Sequence, residues 1–120
     1  MKKTLVSLSL LSLSMGGCLI FPSSAVAQHW FDAQKSNCSA VLRADNPSSQ
    51  INLREQPTVN SRKLGYGLVG DSVFVLGQYP PEADYSRDSQ GKIWHRVGFP
   101  QSQATGWIRQ DFLVLTCSRD

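Results

Sequence analysis

The stretch INLREQPTVNSRKLGYGLVGD, residues 51–71, most constrains what this chain can fold into. Ile51-Asn52-Leu53-Arg54 alternates apolar and polar, the pattern of a strand with one face buried. Pro57 and Asn60-Ser61 follow as turn residues. Gly65, Gly67 and Gly70 then come within six positions. So much turn chemistry leaves no room for a long helix. The glycines permit tight bends and close backbone approach, as a small, sharply curved barrel requires.

The remaining segments extend that reading. Ala40–Ala44 and Ser72–Gln78 are strand candidates, as are Ile93–Phe99 and a last strand running from Trp107 to near Leu113. The β-branched and aromatic content of SVFVLGQ and IWHRVGF suits strands. YPPEADYSRDSQGK carries Pro80-Pro81 and no periodicity, so residues 79–92 read as a long hairpin loop. Short strands separated by turn signals predict a small all-β barrel or sandwich.

The chain begins with Met1-Lys2-Lys3, an apolar run to Phe21, and Ala25-Val26-Ala27 before Gln28. This order predicts a secretory signal peptide over residues 1–27, cleaved after Ala27. The run is too short for a membrane span, and Pro22 interrupts its end. Met15-Gly16-Gly17-Cys18 supplies a second processing route, lipidation at Cys18, although an aliphatic residue is expected where Met15 stands. Cleavage after Ala27 leaves 93 of the 120 residues. It removes Lys2 and Lys3, so 12 basic residues against 9 acidic become 10 against 9. The scattered remainder gives no nucleic-acid footprint. A secreted or periplasmic destination follows, with residues 28–39 as a loose tail and residues 40–117 as one domain.

Cys38 and Cys117 are the two cysteines left in the mature chain. An even pair in an exported protein of this size predicts a structural disulfide. Neither these nor His29 and His95 have metal-ligand spacing, so no metal or cofactor is expected. His95 has no nucleophile motif near it and reads as a half-buried or edge histidine rather than a general base. Asp71 and Asp111 read as turn residues. Gly65-x-Gly67 and Gly70 echo a nucleotide loop without the helix that such a loop needs.

The motif order resembles the bacterial SH3 (SH3b) domain family. The elements are Leu53-Arg54, Pro57, Leu64-Gly65, Gly70 through Leu76, Trp94 to Val97, and Gly106-Trp107-Ile108. The resemblance spans most of residues 40–115 and implies a five-stranded SH3-like barrel, with residues 51–71 as its diverging turn and strand bend. It also implies a non-enzymatic monomeric module that engages cell-wall peptidoglycan, its peptides or an envelope protein. The intracellular SH3 family has a proline in its final segment where this chain has Arg109, and EQPTVNSRK holds one acidic residue. Proline-rich peptides are therefore not the expected ligand.

Strand parity selects the contact residues. With Val97 and Ile108 facing the core, Trp94, Arg96, Trp107 and Arg109 fall on one outer face, with Tyr85 of the long loop extending it. Aromatics beside arginines suit sugars, peptide faces and carboxylates. The competing reading has the tryptophans folding over the barrel edge as apolar cover. A second functional class also stands: a small secreted inhibitor or modulator that docks on a partner protein through the 79–92 loop.

Overall fold

The computed structural model describes residues 30–118. The signal-peptide expectation for residues 1–27, Cys18 and His29 included, lies outside the described residues. The chain is all-β. Eight strands form one antiparallel sheet: β1 Lys35–Leu42, β2 Gln50–Arg54, β3 Lys63–Leu68 and β4 Ser72–Leu76, then β5 Tyr85–Arg87, β6 Ile93–Gly98, β7 Thr105–Arg109 and β8 Leu113–Cys117. A 3-10 turn, Gln110–Phe112, joins β7 to β8. The spatial order is β8-β1-β4-β6-β7-β2-β3, with β5 added on β6. Among the described residues no helix is long and apolar enough to cross a membrane.

Alternation sets the inner face. Ala40 and Leu42 of β1 are buried, as are Ile51 and Leu53 of β2, Val73 and Val75 of β4, Val97, Ile108 and Leu113, and they pack as one cluster. Asn52 and Arg54 lie between the buried positions of β2, on its other side.

The glycine-rich stretch departs from expectation. It forms a strand of its own, β3, antiparallel to β2, with Gly67 opposite Ile51 and Gly65 opposite Leu53. The core-side positions of β3 therefore carry no side chain, which lets Leu42 and Phe99 approach the backbone. A Cβ at Gly67 would meet the Phe99 ring at 2.8 Å. Gly70, at φ +95°, makes the tight turn into β4. Asp71 closes that turn, its carboxylate accepting the Leu68 amide at 2.9 Å and its amide donating to the Leu68 carbonyl at 3.0 Å.

The segment expected as a tail also differs. Residues 30–33 are helical, and β1 begins at Lys35, five residues before the expected strand. Phe31 is 1% exposed. It sits on Gly98, where a Cβ would meet its ring at 2.5 Å, with Leu76 at 3.3 Å. Its ring meets Phe74 edge-on at 5.8 Å, and Lys35 lies 4.0 Å above Phe74 while pairing with Asp32 at 2.8 Å. Burying such a ring stabilises by about 1.5–3 kcal/mol.

The expected disulfide is formed. Cys38 and Cys117 face each other in the β1–β8 register, with Cα atoms 4.0 Å apart, and are bonded. The bridge spans a sequence separation of 79 residues. In the chain-entropy model a loop of that size contributes about 4 kcal/mol. Its position ties β8, at one end of the sheet, to β1.

Candidate functional site

The β6–β7 register sets Trp94 against Arg109 and Arg96 against Trp107, and the β7–β2 register sets Trp107 against Arg54. Directly opposed residues of antiparallel strands share a face. Arg96, Trp107 and Arg54 thus form one row across three strands, with Trp94 and Arg109 in the next row. The four side chains chosen by parity do share a face.

Their exposure is another matter. Trp94 is 3% exposed, so it is not the open contact surface expected of it. The 79–92 segment folds back as β5 along β6, setting Ser86 opposite Trp94. Trp94 Nε1 donates to Asp88 Oδ2 at 2.9 Å, and Asp88 Oδ1 accepts the Gln90 and Lys92 amides at 2.9 Å each. The indole hydrogen bond, helped by these amides and Arg109, holds the Asp88 carboxyl below its ordinary value against the opposing effect of desolvation. Trp107 is half-buried.

Tyr85 does not extend the patch. It is 66% exposed but pairs with His95, while Ser86 pairs with Trp94, so Tyr85 belongs to the opposite side of the sheet. His95 Nδ1 lies 3.3 Å from the Asp84 carbonyl, and its Nε2 is buried without a partner. Burial pushes its pKa down, and the Asp84 contact offsets this in part. No nucleophile side chain is bonded to it. Among the described residues no three His, Cys, Asp or Glu side chains gather as metal ligands.

The charges on this face are unequal. Arg96 Nε and Nη2 reach Asp84 Oδ2 at 3.0 and 2.8 Å, in a pair largely shielded from water. Arg109 Nε reaches Asp111 Oδ1 at 2.6 Å, and its guanidinium lies 5.1 Å from the Phe112 ring. Arg54 Nη1 instead donates to the Ser61 carbonyl at 3.0 Å. It makes no ion pair with a carboxylate among the described residues.

Arg54, Arg109 and Phe112, but neither Arg96 nor Trp107, line a cleft of about 280 Å³. Gln50, Asn52 and Arg54 of β2 form one wall with Val59, and Trp94, Arg109 and Phe112 form the other. Trp94 is 3% exposed yet contributes to the cleft wall. A cleft with apolar walls and a few polar groups is the ordinary form of a small-ligand or peptide site. Here the polar groups are the Ser49 hydroxyl, amides from Gln50 and Asn52, an unneutralised guanidinium from Arg54, and an acid-paired one from Arg109.

The sequence pointed to Arg109 and Trp94 of this cleft. It missed Arg54, Asn52, Val59 and Phe112 as contacts. Alternation in INLR did mark Asn52 and Arg54 as outward-facing, and that was the available signal. Val59 and Phe112 come from a turn and a 3-10 turn, where no periodicity points. Comparison with protein-family models, with curated proteins and with solved structures finds no match.

Proposed function

We propose that this chain is an exported, non-enzymatic binding module on an SH3-like barrel, and that its cleft takes an extended peptide bearing a carboxylate. Peptidoglycan stem peptides are the ligand class that best fits an envelope location. The barrel reading draws support from the unbroken antiparallel order β8-β1-β4-β6-β7-β2-β3 around one shared core, with β5 an addition on β6. The disulfide suits an oxidising compartment, secreted or periplasmic. Arg54 carries the ligand reading: it is the cleft arginine without an acidic partner, and planar guanidinium groups favour carboxylates. Aliphatic and aromatic walls from Val59 and Phe112 would cover the peptide's apolar side.

Calorimetric titration of the mature protein with soluble stem peptides, beside sedimentation with purified cell walls, tests this. Arg54→Gln should weaken binding by about tenfold or more, as loss of a charge-assisted hydrogen bond does. Equal binding of a peptide whose carboxylates are amidated would refute the role of Arg54. No binding to walls or stem peptides would refute the ligand class.

One observation favours the second reading, a modulator that docks on a partner protein. The 79–92 segment exposes Tyr79 at 77% and Tyr85 at 66%, and exposed tyrosines are common contact anchors. An envelope protein recovered stoichiometrically with the wild type, lost with Tyr79→Ala and Tyr85→Ala but kept with Arg54→Gln, would favour it.

A further inference from the structure

The two ends of the sheet are not alike. β8 is clipped to β1 by the disulfide, and between its buried Leu113 and half-buried Leu115 it exposes Val114 and then Thr116. Among the described residues β3 has no neighbour beyond β2. Its sequence KLGYGL exposes Leu64 at 44%, Tyr66 at 53% and Leu68 at 50%, while Gly65 and Gly67 fill the other side. Edge strands in soluble proteins are usually blunted by proline, by central charges or by a covering loop. β3 has no proline, and its one charge, Lys63, sits at its first position.

From these observations we propose that β3 is a self-association edge, pairing antiparallel with β3 of a second copy of this chain about a two-fold axis at Tyr66. The backbone geometry suits this. Leu68's amide and carbonyl are both taken by Asp71, which closes that end of the edge. Ladder alternation turns the Tyr66 amide and carbonyl away from β2. Reciprocal Tyr66 N–H to Tyr66 C=O bonds then join the copies. Tyr66 stacks beside its mate, and each Leu64 meets the other copy's Leu68, giving an apolar ladder of cross-strand pairs.

Charge selects this partner. In the antiparallel register, Lys63 of one copy, next to an Arg62 that pairs with Glu55 of its own chain at 3.3 Å, lies beside the turn holding Asp71 of the other, and the same contact recurs at the far end. A parallel pairing, or a basic partner strand, lacks that complement. The contact is isologous and therefore closes as a dimer rather than growing into a fibre. Three side chains and a short strand cover well under the roughly 1,200 Å² of a standard stable interface. The dimer is therefore weak and concentration-dependent, which replaces the monomer expected from the family resemblance.

Sedimentation equilibrium of the mature, oxidised protein over a wide concentration range tests the proposal. The apparent mass should rise from one chain toward two and stop there. Tyr66→Lys sets two ammonium groups against each other at the axis and should lower the association constant by about tenfold or more. Its melting temperature at low concentration should stay unchanged, because the side chain faces solvent. Lys63→Glu, which sets a carboxylate beside Asp71, should weaken association with no effect on the monomer fold. A single-chain mass at every concentration would overturn the proposal, as would a dimer indifferent to both substitutions. If an extended peptide unrelated to β3 perturbs Leu64–Leu68 amide signals while the protein stays monomeric, the edge serves a foreign strand and the second copy is wrong.

Discussion

The two faces of β6 were built by different means. On the inner face Val97 packs into a cluster whose members all come from regular alternation along their strands. On the outer face Trp94 is held by Asp88 of the 79–92 excursion, and Gly98 lies against Phe31, from the helical turn before β1. Both faces reach similar burial, with Val97 at 0% and Trp94 at 3%. One strand can therefore have two buried sides while only one of them obeys a period. In a domain this small, where an inner core alone is thin, the second buried side adds apolar area that the inner core cannot hold.

Matched deletions on the two faces give the largest test of whether they act as one core. Ile108→Ala on the inner side should cost about 2–5 kcal/mol, the usual range for a buried aliphatic. Phe31→Ala should cost about 3–5 kcal/mol if the outer cluster is as tightly packed as the inner one. Urea unfolding of each variant measures this. A cost for Phe31→Ala below about 1 kcal/mol would mean that the outer cover peels away without disturbing the inner core, as weakly coupled segments do.

This contrast explains what could be read beforehand. Ile51, Leu53, Val97 and Ile108 were legible as inward because alternation is local information. The disulfide was legible from cysteine number and compartment. The face shared by Trp94, Arg96, Trp107 and Arg109 was legible by parity. Exposure was not, because parity names a side of the sheet and is silent about what lies over it. The burial of Trp94 depends on Asp88, six residues away across an irregular turn, and that of Phe31 depends on a glycine 67 residues on. Gly65 and Gly67 were readable as backbone freedom. The use of Gly67 as a bare core-side position needed the facing side chains of Leu42 and Phe99.

The polar groups on the two faces divide the same way. Trp94 Nε1 has an acceptor, whereas His95 Nε2, on the other side, has none. Burial lowers the folded-state pKa of His95 below 6.5, so the unfolded chain binds a proton more readily. Stability should therefore fall as pH drops below 6.5 and level off once pH is below the lowered folded value. His95→Phe, which keeps the ring and removes the titration, should flatten that slope. Denaturant midpoints at several pH values between 7 and the acid range measure it. A slope unchanged in His95→Phe would assign it to other groups.

The smallest effect belongs to the acid that closes the outer face. Asp88 titrates below its ordinary 3.8 because the Trp94 indole and two backbone amides donate to its charged form. A depressed carboxylate contributes stability that is present above the unfolded pKa and lost as pH falls through the folded one. In the strongly acid range Asp88 should therefore release the indole and loosen residues 88–92 over it, before the inner core opens. Asp88→Asn removes the charge but keeps an acceptor oxygen, so it should produce part of that loosening at neutral pH with little change in melting temperature. Trp94 fluorescence, with Trp30 and Trp107 replaced by phenylalanine, reports it as a red shift and faster quenching. Because Trp94 also walls the cleft, peptide affinity should weaken slightly in the same variant. An unshifted Trp94 spectrum in Asp88→Asn would show that packing alone buries the ring. In that case the outer face, like the inner one, would hold its aromatic side chain without its polar handle.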